Sequence, residues 1–151
     1  MGYNTDFVGE FFLDKDLDDD TYNLLMGLND TRRMMRQHMD EKYGVDGEFY
    51  VGGDEGHGDP SIVDYNTPPF AQPGLWCQWA PTSKRTIEWD QGGKFYYATE
   101  WIQYIIERVL IPRGYVLNGE VKWYGEESCD MGVICISANI VTEKIAKITY
   151  E

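Results

Sequence analysis

Three closely spaced arginines occur in the segment TRRMMR, residues 31–36. A helix is predicted over residues 19–38, because apolar side chains recur there at helical spacing after a run of acidic N-cap candidates. In such a helix Arg32 and Arg36 share one face, so their guanidinium groups could grip a phosphate or a carboxylate. The alternative is that Arg32, Arg33 and Arg36 only pair with nearby acids and favour the helix C-terminus.

A second candidate binding surface is the proline-rich segment DYNTPPFAQPGLWCQWAP, residues 64–81. Its LWCQW part alternates like a strand, which places Trp76 and Gln78 on the face opposite Cys77 and Trp79. If helices cover only one face of the sheet, Trp76 and Gln78 form a platform for stacking and hydrogen bonding. The prolines stiffen the preceding loop, which predicts a preordered wall formed by Asp64, Tyr65 and Asn66. Alternatively, the loop folds over the sheet and Trp76 packs in a small secondary core.

The chain is strongly acidic, with a formal net charge of -13. Residues 1–60 hold 15 acids and 5 bases, so a net charge of -10 lies in the first part of the chain. This argues against binding to nucleic acid or to an anionic membrane surface, and it favours a basic protein partner. The carboxylates expected to contact that partner are Asp16, Asp18, Asp19 and Asp20. The alternative is that the acidic run serves only solubility.

Few residues have the types and spacing that metal binding or catalysis requires. The segment DEGHGD, residues 54–59, combines carboxylates with His57, but it lacks the spacing of an EF-hand and a second histidine nearby. We therefore expect no metal and no cofactor. Nucleophile and phosphate-loop motifs are missing from the sequence, and Glu88 and Glu120 are interpreted as solvent-facing strand residues. An enzyme is not favoured, although one of an unrecognised type is left open.

The hydrophobic pattern predicts an α+β fold. Residues 3–13 alternate as a first strand, LWCQWAP and RTIEWD form a hairpin, and three strands follow a second helix over residues 93–111. Continuous alternation around Gly119 favours a β-bulge at that position over a tight turn. We predict a mainly antiparallel twisted sheet of about five or six strands, with two helices packed on one face, in a single domain spanning residues 1–151.

The cysteines and the N-terminal residues indicate in which cellular compartment the protein is expected. Cys77, Cys129 and Cys135 form no CxxC pair, and the first residues lack the basic-then-apolar pattern of a signal peptide. The sequence also has no apolar run near the length of a membrane helix. We therefore expect a soluble, cytoplasmic protein that does not bind membranes.

Several segments carry a resemblance to a known family: GYNTDFVGEF, TRRMMR, DYNTPPFAQPGLWCQW, KFYYATEWIQYIIE and GYVLNGEVKWYGE. In these segments the chain resembles a family of small uncharacterised proteins widespread in bacteriophages and bacteria. The resemblance implies a stand-alone domain, located in the host cytoplasm if it is phage-encoded, and it implies no activity. Together with the charge, it leads us to expect a phage-associated interaction protein, for example an inhibitor of a host protein. The alternatives are a protein that binds a nucleotide or another anionic small molecule, and an enzyme.

Overall fold

The computed structural model describes residues 2–52, 59–147 and 149–150. The strands in these parts are β1 (Thr5–Leu13), β2 (Met35–Arg36), β3 (Ile62–Asp64), β4 (Trp79–Ser83), β5 (Thr86–Trp89), β6 (Leu117–Gly125), β7 (Met131–Ser137) and β8 (Ile140–Ile145). The α-helices are α1 (Asp19–Asp30) and α2 (Ala98–Ile105). Six strands form an antiparallel sheet in the order β4-β5-β1-β6-β7-β8, and β2 pairs with β3 in a separate small sheet. This arrangement confirms the predicted α+β fold.

The main sheet has one covered and one open face, as the alternation in β1 predicts. Phe11, Val121 and Ile134 are fully buried on the face that the helices cover. Val8 and Phe12 lie on the opposite face and are about half exposed. Burial of alternate residues is the pattern expected of a sheet with one solvated face.

The two central strands approach closely at two glycines. The predicted bulge at Gly119 is wrong, because the β1–β6 register runs uninterrupted from Thr5 opposite Gly125 to Leu13 opposite Leu117. Gly119 has a φ of +129°, and a Cβ at this position would lie 2.9 Å from the backbone oxygen of Glu10. Gly9 shows the same arrangement, with a φ of +117° and the backbone oxygen of Glu120 2.7 Å from a Cβ. Glycine meets both requirements since it has no Cβ.

Helix α1 begins as predicted but ends earlier. The Asp18 side chain caps it by accepting a 2.7 Å hydrogen bond from the backbone N–H of Thr21. The helix ends at Asp30 instead of continuing to residue 38, since Thr31 is already extended. The backbone N–H groups of Arg33 and Met35 then bond to the carbonyls of Leu75 and Thr67. These long-range bonds replace the helical ones, so the TRRMMR segment is not helical.

Helix α2 starts later than predicted and continues past its α-helical part. Residues 93–97 form a loop, in which Lys94 and Tyr97 have φ values of +59° and +62°. After Ile105 the chain makes a π-helical turn, Ile106–Leu110, and a 3₁₀ turn, Ile111–Arg113. The apolar side chains from Trp101 onward are buried, with Trp101, Ile105 and Val109 fully so, whereas Tyr97 before the helix is 57% exposed.

The LWCQW segment is also shorter as a strand than the alternation predicts. Strand β4 begins at Trp79, so residues 75–78 approach it as an irregular segment. Burial nevertheless alternates as expected: Cys77 and Trp79 are buried, whereas Trp76 is 40% exposed. Trp79 packs its ring against Phe7 and Phe11, with ring centroids 5.5 Å and 5.3 Å apart.

Candidate functional site

The best-formed candidate site is a cavity between two loops, residues 74–78 and residues 93–97. It has a volume of 420 Å³, within the usual range for small-molecule sites. Its lining consists of Gly74, Leu75, Trp76, Gln78, Gly93, Lys94, Tyr96 and Tyr97. The cavity therefore contains the two residues of the predicted platform, together with three side chains from the second loop. We call it the aromatic cavity.

Three exposed aromatic rings define the character of the aromatic cavity. Trp76, Tyr96 and Tyr97 are 40%, 54% and 57% exposed, respectively. Lys94 is the one charged side chain among the described residues that line it. An aromatic wall with a single ammonium group suits a flat ligand that carries a negative charge.

Gln78 builds the cavity through its side-chain amide. Its Nε2 donates to the backbone oxygen of Gly93 at 3.0 Å, and its Oε1 accepts from Trp89 Nε1 at 3.1 Å. Its backbone oxygen accepts from the N–H of Asp90 at 2.9 Å. Lys94 is held separately, because its backbone N–H donates to Asn4 Oδ1 at 2.9 Å. The side-chain nitrogen and oxygen of Gln78 are thus both already hydrogen-bonded, and Gln78 acts as a positioning residue.

Two non-glycine residues of the second loop, and one residue just before it, have positive φ values. Gln91, Lys94 and Tyr97 have φ values of +67°, +59° and +62°. Such left-handed conformations cost free energy for residues with a Cβ, and they often occur where a loop shapes a binding site. Tyr97 also accepts the first α-helical hydrogen bond of α2, from the N–H of Trp101 at 2.8 Å. The helix start therefore anchors one wall of the cavity.

An unpaired donor lies close to Gly74, one of the lining residues. Trp101 is fully buried, and its Nε1 has no hydrogen-bond acceptor in the part of the chain that the structure describes. This nitrogen lies 3.6 Å from the position that a Cβ on Gly74 would take, and Gly74 lines the cavity. Buried donors are nearly always paired in folded proteins. The Trp101 N–H is an exception to this rule among the described residues.

The three arginines of TRRMMR point to three different places, since the helix that would align them ends before they begin. Arg32 does meet residues of the predicted wall. Its Nε donates to the backbone oxygen of Tyr65 at 3.2 Å, and its Nη2 donates to Asn66 Oδ1 at 3.1 Å. Its guanidinium stacks over the Tyr65 ring at 4.1 Å. Asp64 shapes the same turn by accepting from the backbone N–H of Asn66 at 2.9 Å. This group does not line the aromatic cavity, as judged from the described residues.

Arg33 belongs to a buried polar network. Its side chain donates to Gln72 Oε1 at 3.0 Å and to the backbone oxygens of Tyr50 and Glu48, both at 2.9 Å. Burial lowers the pKa of Arg33 to about 10. With its described donors occupied and 1% of its surface exposed, Arg33 stabilises the fold.

Glu48 is the acid of this network and is fully buried. Its carboxylate accepts from Tyr104 Oη at 2.8 Å and from Arg108 Nε at 3.0 Å, and it forms an ion pair with Arg108 Nη2. Burial alone raises the pKa of Glu48, but the hydrogen bonds from Arg108, Tyr104 and the Val45 N–H outweigh it and hold that pKa below its usual range. Glu48 is therefore charged at neutral pH.

Arg36 is buried beside Asp59. Its Nη1 donates to Asp59 Oδ2 and to Ser61 Oγ, both at 2.9 Å, and its guanidinium stacks over the Tyr50 ring at 4.0 Å. Backbone and side-chain hydrogen bonds from Ser61, followed by that of Arg36, lower the pKa of Asp59. Asp59 is the only part of the DEGHGD segment among the described residues, and His57 lies outside them.

Three of the four predicted partner-binding carboxylates make intramolecular contacts. Asp16 accepts from Arg85 Nε at 2.7 Å, and Asp19 accepts from Lys84 Nζ at 2.5 Å. Asp18 caps α1 and also accepts from Tyr115 Oη at 3.1 Å. Hydrogen bonds from Thr21 are the main cause that lowers the pKa of Asp18. Asp20 is exposed beside them.

The remaining candidates show no catalytic arrangement. Glu120 lies opposite Glu10 across the β1–β6 pair, while Glu88 lies on β5 and accepts from Thr82 Oγ1 at 2.6 Å. Among residues 2–52, 59–147 and 149–150, no three acid, histidine or cysteine side chains are grouped so that they could hold a metal ion. The helices in these parts of the chain are all too short or too polar to cross a membrane.

Comparison with family models, curated proteins and solved structures gives no match. Sequence reasoning identified Trp76 and Gln78 but missed Lys94, Tyr96 and Tyr97. Those three residues lie in KFYY, which the helical pattern assigned to α2. The Gly92-Gly93 pair before them was the available signal that the chain forms a loop there.

Proposed function

We propose that this protein is a non-enzymatic binding protein whose aromatic cavity takes a small planar ligand with a negatively charged group, such as a nucleotide. The observation that carries this proposal is the grouping of three exposed aromatic rings and one ammonium group around 420 Å³. Each ring offers a π-face on which a planar heterocycle can stack. Lys94 supplies the charge that selects an anionic substituent.

Exposure of the rings favours ligand binding over simple packing. Trp76 would be covered if the proline loop sealed it into a secondary core, yet it remains 40% exposed. The Gln78 hydrogen bonds hold the second loop at a fixed distance from the first, so the cavity is largely formed before a ligand enters. A preformed site loses less conformational entropy on binding.

Calorimetric titration with nucleoside monophosphates, and with the uncharged nucleosides, tests this function. We expect a monophosphate to bind and Trp76→Ala to weaken it about tenfold or more, because stacking of one base contributes about 1–3 kcal/mol. Lys94→Gln should remove most of the preference for the monophosphate over its nucleoside.

The matched control is Tyr124→Ala, which removes a ring that is 42% exposed on the open face of the sheet. Its affinity should equal that of the wild type. If no nucleotide or nucleoside binds the wild-type protein, or if Trp76→Ala binds as tightly, the proposal is wrong.

The second candidate function is an interaction with a basic protein, for example inhibition of a host protein. The surface involved would be the acidic region, which lies within residues 1–60. Exposed ion pairs favour it: the side chains of Arg85 and Lys84 are 57% and 45% exposed, and those of Asp16 and Asp19 are 71% and 89% exposed. Pairs of this kind contribute about 0–1 kcal/mol, so a basic partner can replace them at little cost.

A further inference from the structure

A second cavity also has Tyr97 in its lining. Its volume is 270 Å³, and it opens between the start of α2 and the covered face of the sheet. Its chemically distinctive residues are Phe7, Tyr97, Glu100, Trp123 and Glu143. It combines three aromatic rings with two carboxylates, whereas the aromatic cavity contains an ammonium group. The charged side chains that line the two cavities are therefore of opposite sign.

The strand register places Glu143 on the covered face. Ile134 pairs with both Val121 of β6 and Glu143 of β8, and directly opposite residues share a face. Val121 and Ile134 are buried against the helices, so Glu143 projects to the same side at the edge of the sheet. A carboxylate on this face is unusual, because the neighbouring positions are apolar.

Two of the aromatic walls are held in place. Phe7 and Trp123 lie directly opposite each other on β1 and β6. The Phe7 ring packs edge-on against Trp79, Trp89 and Phe95 at centroid distances of 5.5, 5.4 and 5.7 Å. The Trp123 indole lies over Gly132, where a Cβ would be 2.6 Å from its Cζ2. These contacts keep both rings at the cavity.

The carboxylates of Glu100 and Glu143 are not neutralised locally. Both residues are exposed, and neither has an ion pair or side-chain hydrogen bond within the described residues. The described lining also contains no lysine, arginine or histidine. The cavity thus has two negative charges beside three aromatic side chains.

We propose that this cavity binds an organic cation, either a quaternary ammonium or the ammonium group of a lysine side chain. Phe7, Tyr97 and Trp123 supply the negative faces of their rings, which attract a cation placed over them. Glu100 and Glu143 supply the counter-charge.

The N-terminus of α2 opposes the binding of a cation. It has no side-chain cap among the residues described. A helix N-terminus acts as about half a positive charge and attracts anions. Two full carboxylate charges outweigh it, so the local field favours a cation. Glu100 lies in the first turn of α2, so the chain itself already places a carboxylate there.

The cation site is separate from the proposed nucleotide function, because the two cavities share only Tyr97 in their described linings. Failure of either proposal can therefore be recognised on its own. Trp76→Ala should reduce nucleotide affinity and leave cation affinity unchanged. Glu143→Gln should have the reverse effect.

The experiment is a titration of the wild-type protein with choline, followed by NMR, against the uncharged isostere 3,3-dimethylbutanol. We expect choline to bind and the isostere to bind about tenfold more weakly, because only the charge differs. Peptides containing one lysine, unmodified or trimethylated, form the second arm. Binding of choline alone identifies a free small cation as the ligand, whereas binding of a peptide identifies a protein side chain.

Variants then locate the binding. Glu100→Gln and Glu143→Gln should each weaken choline about threefold, as expected for loss of one exposed charge pair. Trp123→Phe keeps an apolar ring but offers a weaker π-face, and it should also reduce affinity. Glu120→Gln, on the open face, is the matched control and should have no effect. Equal binding of choline and its isostere, no binding of any cation, tighter binding of acetate, or unchanged affinity in Glu143→Gln would each overturn the proposal.

Discussion

Glu48 shows how one residue can connect distant parts of this chain. Its carboxylate joins Tyr104 of α2 to Arg108 of the following π-helical turn, and its backbone oxygen accepts from Arg33 and from Gln72. All these bonds lie in or beside the core, where an unpaired charge is costly. The network therefore stabilises the fold only while every member is present.

Replacing Glu48 by glutamine should strongly destabilise the protein. The change leaves Arg108 without its ion-pair partner, and because the Arg108 side chain is 37% exposed, the loss should be about 1–3 kcal/mol, below that of a fully buried pair. Urea unfolding at pH 7 measures this difference in the free energy of unfolding. Glu41→Gln, an exposed acid in the same segment, is the control and should stay within about 0.5 kcal/mol of the wild type. A loss in Glu48→Gln no larger than that of the control would contradict this role.

The stability difference between the wild type and Glu48→Gln should depend on pH. The pKa of Glu48 in the folded state lies below the usual value of 4.5, so its charged form is stabilised by folding. This contribution is complete above pH 4.5 and is lost as the pH falls through the lower folded-state pKa. The stability difference between the wild type and Glu48→Gln should therefore shrink as the pH is lowered below 4.5. A constant difference would show that the charge is not involved.

Among the secondary-structure elements, β1 and β6 form the central pair of the sheet and supply two of the aromatic residues that line the second cavity. Phe7 and Trp123 face each other in this pair, and Gly9 and Gly119 allow its close approach. Both glycines have positive φ values and would place a Cβ against the backbone of the partner strand. Backbone atoms cannot move aside as a flexible side chain can, so these positions are intolerant of substitution.

Gly119→Ala should destabilise the protein by about 1–3 kcal/mol, the cost of overpacking or of one strained residue. Thermal and urea unfolding measure it. Lys122→Ala, an exposed position on the same strand, is the control and should change stability by less than about 0.5 kcal/mol. Equal effects of the two substitutions would mean that the strands can separate locally without cost.

At the scale of the whole molecule, the net charge of -13 is the property most accessible to experiment. If the acidic region docks a basic partner, association should be steered by charge and screened by salt over about 8 Å at physiological ionic strength. Asp16, Asp19 and Asp20 can be neutralised without removing the α1 cap, because that cap is Asp18.

The corresponding experiment captures partners from cell extract on the immobilised protein and measures their association rates. Raising the salt, or substituting Asp16, Asp19 and Asp20 by asparagine, should slow association about tenfold for a basic partner, with the melting temperature unchanged. If the association rate of a captured partner is unaffected by both changes, the acidic region acts only in solubility.

Several features of the molecule follow from local sequence patterns. Alternation predicted β1 and the strands of the second half, and the acidic run before α1 supplied the predicted N-cap. Alternate burial around Trp76 was also correct, although the strand begins later. These predictions succeed because periodicity and capping depend on residues only a few positions apart.

Other features depend on contacts between residues far apart in the chain. The helical pattern could not show that α1 ends at Asp30, because the carbonyls that pair with the following residues come from Thr67 and Leu75. Arg33 is a buried structural residue only because Glu48 and Gln72 surround it. Both cavities likewise form where the loop before α2 meets separate segments of the chain. Their chemistry is set by long-range packing, which local propensity does not encode.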